Sequence, residues 1–298
     1  MGIVAVSYKT EPKRWELMPD ITPEVWPEYN QHGDVLNRYW GRLYDEFPAF
    51  QFMLYGESTS ELVAEGHTVP CVWDGTLEGL GDGIDSMIIA AFEARARRDR
   101  PTALCALAAE IRPGFQGRGL AARMLKEMAA LAHRHELANL IAPVRPSWKD
   151  RYPLTPIERY MTWTRDDGEP LDPWLRVHAR HGGLLAKPVP HSLQITGTIA
   201  EWEQWTGLPF PADGVYTFPD GLAPVTIDHA ADRGDYWEPN VWVVHPVPSW
   251  PHSMRSGNPG AVTPEVSRSS RTAAGPSCPT LEVAADESDG TVAVRNGQ

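Results

Sequence analysis

Cysteine is scarce in this chain: Cys71, Cys105 and Cys278 are three in 298 residues, widely spaced and without a Cys-x-x-Cys pair. That scarcity excludes a disulfide framework and a zinc knuckle, and it leaves Cys105, inside an apolar stretch, as an inert buried thiol. Histidine offers no metal spacing either. His133 with His135, and His178 with His181, come without a third ligand or a glutamate motif, so no metal is expected. No apolar run is long enough to span a bilayer, and the opening MGIVAVSYKTEPKRW has too short a hydrophobic run for a secretory signal. A membrane partner is therefore not expected, and cytoplasm is the default location. Positive charge is in deficit, with 27 Lys and Arg against 39 Asp and Glu for a net charge of −12, which disfavours binding to nucleic acid. Aromatic residues run out as well: all twelve tryptophans occur by Trp250, and residues 251–298 contain no Trp, Phe or Tyr. Such a segment cannot bury enough apolar surface to offset the entropy of ordering it, so 251–298 reads as a disordered tail behind one folded domain over 1–250.

What is present concentrates in residues 102–144. Thr102 to Ile111 (TALCALAAEI) is nearly continuous apolar sequence, as expected of a central strand buried on both faces, and Pro113 bars its continuation. Gln116-Gly117-Arg118-Gly119-Leu120-Ala121 follows, and from there the period changes. Leu120, Met124, Met128 and Leu131 fall on one helical face, while Arg123, Lys126, Glu127 and Arg134 lie away from it. Leu137 to Val144 then reads as a second strand, parallel to the first through a right-handed crossover. A glycine turn that opens a helix aims free backbone N–H groups and the positive end of the helix dipole at one spot, and that spot suits a phosphate.

Three nucleotide-type turns compete for this pattern. A P-loop needs Gly-Lys-Ser/Thr, whereas Gly119 is followed by Leu120 and Ala121. A dinucleotide turn is nominally matched by Gly117-x-Gly119-x-x-Ala122, yet it needs an acid closing the next strand, which here ends Ala142-Pro143-Val144-Arg145. The third pattern, Gln/Arg-x-x-Gly-x-Gly/Ala after a strand and a proline, is met in full by Gln116 to Ala121. In this the chain resembles the acyl-coenzyme A signature of the GNAT N-acetyltransferase superfamily, specifically over 102–144 and more loosely over 1–250.

The resemblance implies an α/β (α+β) fold with a mixed, mainly antiparallel central sheet flanked by helices, and two cofactor strands parallel at its centre. It also implies that Ile111, Arg112, Gln116, Gly117, Arg118, Gly119, Leu120 and Ala121 bind acetyl-CoA, largely through backbone amides. In that family a tyrosine on a later helix protonates the departing thiolate, and sliding the pattern onto His178-Ala179-Arg180-His181-Gly182-Gly183 puts His178 in its place. For a base that frees the attacking amine, Glu110 is the leading candidate, because it interrupts an apolar strand where an ionised side chain is costly. A salt bridge from Glu110 to Arg112 or Arg118 is the plainer alternative; Asp74 and Asp85 are weaker candidates. The implied reaction is acetyl transfer to the amine of a small molecule, and a cationic acceptor suits the acidic balance. A noncatalytic, CoA-binding regulatory module is the runner-up.

Elsewhere the chain reads as two helices, from Thr22-Pro23-Glu24 and from Asp34 to about Phe47, carrying Trp26, Tyr39, Trp40 and Tyr44. Strands follow over Phe50–Tyr55 and Ser60–Trp73, then a helix from about Ile84 to Arg98 within an apparent insertion, Gly75–Arg100. After the second cofactor strand, Thr155-Pro156-Ile157-Glu158 reads as a capping box and Asp172-Pro173-Trp174 as another helix start. The residues Tyr152, Tyr160, Trp163, Trp174, Arg145, Lys149 and Arg159 in this connection suit either a lid or a small satellite core. His191–Gly197 and Asn240–His245 read as closing strands, with Thr198-x-x-Glu201 capping a short helix and Pro209–Asp235 a turn-rich insertion.

Overall fold

Nine strands hydrogen-bond into one sheet in the computed structural model, which describes residues 2–247. They are β1 (Ile3–Ser7), β2 (Gln51–Gly56), β3 (Leu62–Cys71), β4 (Ala103–Ile111), β5 (Asn139–Val144), β6 (Leu184–Gly197), β7 (Gly214–Tyr216), β8 (Val225–Asp228) and β9 (Arg233–Pro246). Their order is β1-β2-β3-β4-β5-β9-β8-β7, with β6 on the other side of β9. Every pairing is antiparallel except β4 with β5. The helices are α1 (Pro12–Leu17), α2 (Thr22–Val25), α3 (Leu36–Trp40), α4 (Arg42–Glu46), α5 (Ile84–Arg97), α6 (Leu120–Arg134), α7 (Ile157–Tyr160), α8 (Pro173–Arg180) and α9 (Ile199–Thr206).

The expected mixed sheet and its parallel pair are present, and two irregularities in it make room for a site. Pairing of β4 with β5 covers only Ala103–Cys105 against Asn139–Ile141, after which the strands part. On the other side of β4 the register slips between His67 and Thr68, whose partners are Ala108 and Ala106, so Leu107 is an extra residue. Such a bulge bends its strand, and it sits where the contact with β5 ends. The second irregularity is on β9. One edge of this strand is paired along its length by β6, but the other is shared by β8 at Arg233–Asp235 and β5 at Val241–Pro246. Tyr236 to Asn240 therefore face a gap in the sheet.

The apolar patterns account for the layers. Leu120, Met124, Met128 and Leu131 of α6 are buried against Leu104 and Leu140, while α5 covers the opposite face with Ile84, Ile88 and Phe92 against Val69 and Cys105. A third cluster joins Ile157, Tyr160 and Leu175 to Val241 and Val243, with Trp163 and Trp174 at its margin. The connection after β5 is thus a satellite core over the sheet. Lys149 anchors it: buried, with its amine pulled down to about 8 by desolvation, it donates to the carbonyls of Tyr152 and Leu222 at 2.8 and 2.6 Å.

Three local expectations need correction, and one strand lies where the sequence reading names no element. Strand β1 takes up the N-terminal apolar run, too short to announce itself as a sheet edge. The helix expected over Asp34–Phe47 divides at Gly41, a poor helix former, into α3 and α4. Thr155 makes no capping box, because Pro156 is the N-cap of α7 and no side chain caps it. Pro209–Asp235 contributes two strands, β7 and β8, as well as turns. The domain limit near 250 and the tail 251–298 lie outside the described residues.

Candidate active site

The turn after β4 is built from backbone. Pro113 stops the strand, and the Gln116 side-chain amide donates back to the Ile111 carbonyl at 3.1 Å, which fastens the turn to the strand end. Gly117 and Gly119 sit at φ of +73° and +79°, conformations that favour glycine, and a Cβ on either would meet nothing within 4 Å. The glycines are thus required by conformation, and the turn is left bare on its outer side. Gly119 is the N-cap of α6 and no side chain caps the helix, so its first amides are free for an anionic ligand. The Arg118 guanidinium lies over the Phe115 ring at 5.4 Å.

One cavity of about 1200 Å³ runs from this turn into the molecule. Ile111, Gln116, Gly117, Gly119, Leu120, Ala121, Glu110 and His178 all line it, whereas Arg118 does not. Arg112 does not line it; its guanidinium reaches Glu24 at 3.0 Å and Glu61 at 3.6 Å. The plainer alternative for Glu110 is thereby closed, since Arg112 is engaged elsewhere and Arg118 stacks on Phe115.

Glu110 instead belongs to a buried cluster. Its Cα is directly opposite that of Glu65 across the β3–β4 ladder, and His67 follows two residues along β3. Glu65, His67 and Glu110 bring ligand-type atoms within 4.8 Å of one another. Like charges opposed across a ladder are destabilising, so the pair needs a cation. His67 supplies one in part: Nε2 lies 3.6 Å from Glu65, and although burial works against it, the two carboxylates raise the imidazole above its ordinary value. Gln51 fixes that ring. Its amide nitrogen donates to the Phe47 and Thr68 carbonyls, which leaves Oε1 to accept from His67 Nδ1 at 3.3 Å. Two carboxyl groups thus share a single imidazole as their basic partner. Glu110, only 1% exposed, accepts from Trp26 Nε1 at 2.6 Å through Oε1, while Oε2 has no partner. Burial pushes this carboxyl above its ordinary range, against the pull of His67 and the Trp26 hydrogen bond. Trp26, Trp40 and Tyr44 complete the wall.

A second buried carboxylate shows the contrast. Glu238 lines the cavity in the gap of β9, and Arg145, leaving β5, reaches it at 2.7 Å. Asn30 donates to the same oxygen, and the Tyr29 and Tyr236 hydroxyls donate to the other. Glu238 is saturated and structural; Glu110 keeps a free oxygen. Asp85 also keeps one buried oxygen, Oδ1, without a partner, but it does not line the cavity: burial pushes it up to about 6, and Oδ2 accepts from the Gln194 amide to tie α5 to β6. Asp74 is exposed and holds Thr76.

At the other wall, Asp172 caps α8 by accepting from the amides of Trp174 and Leu175, and this orients Trp174 and His178 toward the cavity. His178 Nδ1 lies 2.9 Å from His245 Nε2, and His178 Nε2 is buried without a partner. Burial, with His245 adding, holds the His178 imidazole well below its ordinary value. It is therefore neutral, and a resident proton donor is not what it offers.

Sequence reasoning did not single out Glu65, His67, His245 or Glu238. The i, i+2 spacing of Glu65 and His67 in an otherwise apolar strand was a usable signal, since alternation puts both on one face. Nothing local marks His245 or Glu238, whose roles come from the pairing of β9.

No protein-family model matches the chain. The arginine N-acetyltransferase avaD of Aspergillus versicolor is 30% identical over 249 residues, which span 75% of this chain and 86% of that protein. Among solved structures, the loading GNATL domain of CurA from Lyngbya majuscula aligns with a TM-score of 0.52 at 16% identity, over 83% of this chain and 98% of that one. The GphF GNAT-like decarboxylase in complex with isobutyryl-CoA aligns at 0.51 and 15%, over 83% and 100%. These structures share the fold, and the avaD likeness reaches across most of both chains. With the strand, bare glycine turn, helix and parted parallel strands in place, the chain belongs to the GNAT superfamily of N-acetyltransferases.

Proposed function

We propose that the protein transfers an acetyl group from acetyl-CoA to the amine of a small, cationic molecule by direct attack in a ternary complex. Enzymes of this superfamily draw the acyl group from an acyl-coenzyme A. The observation that carries the reading is the continuity of one cavity from a phosphate-suited turn to a buried carboxylate with a free oxygen. Backbone amides of Gln116 to Ala121 hold the pyrophosphate, and the parting of β4 and β5 admits the pantetheine arm. The acceptor enters from the side of Trp26, Trp40 and Tyr44 as an ammonium, which meets the two carboxyl groups of the Glu65–His67–Glu110 cluster. Glu110 Oε2 takes its proton, and the freed lone pair attacks the thioester. Burial of Glu110, 1% exposed, favours a small acceptor over a protein tail, and arginine, named in the Aspergillus relative, is the first amine to try.

Two measurements test this. Gly119→Glu puts bulk and negative charge where phosphates are to sit, at a φ of +79°. It is expected to abolish acetyl-CoA binding in calorimetry while the circular dichroism of the fold persists; unchanged affinity overturns the assignment of the turn. Release of free thiol from acetyl-CoA in the presence of arginine and a panel of small amines tests the reaction itself.

A further inference from the structure

Two histidines outside the carboxylate cluster make a hydrogen-bonded chain that the proton transfer from ammonium to Glu110 leaves unused. The His181 carbonyl can only accept, so His245 Nδ1, 3.4 Å away, carries a proton. Burial keeps His245 neutral, so its Nε2 is a lone pair that accepts from His178 Nδ1 at 2.9 Å. His178, neutral in turn, has its only proton on Nδ1. Nε2, the remaining ring nitrogen of a cavity-lining residue, is then a lone pair with no partner. The electrostatic influences on this ring come from His245 on β9 and His181 beyond the end of α8, with no acid among them, and the Trp174 ring packs on it at 4.4 Å. Gly183 completes the arrangement: a Cβ there would lie 2.7 Å from the His245 ring and 2.8 Å from the His178 carbonyl, so the close pairing requires glycine.

We propose that His245 is a positioning residue which fixes the Nδ1–H tautomer of His178, and that His178 Nε2 shuttles a proton from the attacking amine to the departing thiolate. The inference rests on the acetyl-transfer reading and accounts for its second proton. An ammonium brings two protons that must leave nitrogen. The first goes to Glu110 before attack. As the N–C bond forms, nitrogen becomes positive; His178 Nε2 accepts the second proton and the N–H electron pair returns to nitrogen. The C–S bond then breaks with its pair on sulfur, and the imidazolium returns that proton to sulfur. The products are the amide and free coenzyme A, His178 is neutral again, and the proton on Glu110 passes to solvent. A histidine that is neutral at rest can thus act as the acid, by borrowing the proton it donates.

The test has an arm that needs no acceptor. Imidazole nitrogen NMR of the full-length protein at neutral pH is expected to show His178 as the neutral Nδ1–H tautomer; an Nε2–H tautomer or an imidazolium overturns the proposal. His245→Gln offers a carbonyl oxygen in place of Nε2 and is expected to keep the tautomer and stay within about 3-fold of wild-type kcat. His245→Phe removes the acceptor and is expected to lose the tautomer and at least about 100-fold in kcat, with KM for acetyl-CoA within about 3-fold. Equal losses in the two variants, or a KM effect alone, overturn the positioning role. If the wild-type tautomer is found but no amine is acetylated, the functional reading fails and the assigned tautomer stands.

Discussion

Glu110 carries a trade between activity and stability that can be measured. Its folded-state carboxyl binds a proton more readily than in the unfolded chain, so its ionisation opposes folding. That cost is absent below the ordinary carboxyl range, grows as pH rises from there to the raised value and is complete above it. Glu110→Gln keeps the oxygen that accepts from Trp26 and removes the charge. It is expected to raise the melting temperature at pH 7 by about 2–4 °C, a gain on the order of 1 kcal/mol, with little change near pH 4. The same variant is expected to lower turnover most near neutral pH and less at high pH, where the amine loses its proton unaided. A pH–rate profile parallel to wild type removes Glu110 from the reaction. Glu110 was visible in the sequence because a lone acid in an apolar strand is costly. Its partners were hidden, since which carboxylate faces it depends on β3 pairing in one register, and strand alternation alone does not choose a neighbour.

At the scale of elements, what was legible is what the local chain dictates. The period change at Arg118 gave α6, and the Thr198–Glu201 capping box forms as written, with both reciprocal hydrogen bonds. Thr198→Ala removes that cap from α9, far from the glycine turn; it is expected to cost about 1 kcal/mol in denaturant unfolding and leave acetyl-CoA affinity unchanged. The bulge at Leu107 and the parting of β4 from β5 were not legible, because an extra residue in a strand shows only against its partner. The connection after β5 allowed two readings until packing was known. Its aromatic residues go mainly to the satellite core; to the cavity it gives Arg145, Ser147 and one side of α8, including Trp174, Val177 and His178.

For the whole molecule, the sheet and both helical layers close within the described residues, and β9 is their last strand. A chain ending at residue 250 is expected to keep wild-type kcat and acetyl-CoA affinity, and a loss of either in kinetics and calorimetry assigns the remaining segment a part in the site. The position of β9 has a consequence for synthesis. A ribosome makes the glycine turn, α6 and Glu110 first, yet the floor at Glu238 and the support for His178 at His245 both arrive with one strand, nearly a hundred residues after β5. Until that strand inserts between β5 and β6, β5 is an unpaired central edge beside a half-built cavity, and such edges invite wrong partners. A nascent chain of this enzyme is therefore exposed longest at the place where its chemistry is completed, so catalytic competence and protection from aggregation are acquired in the same event.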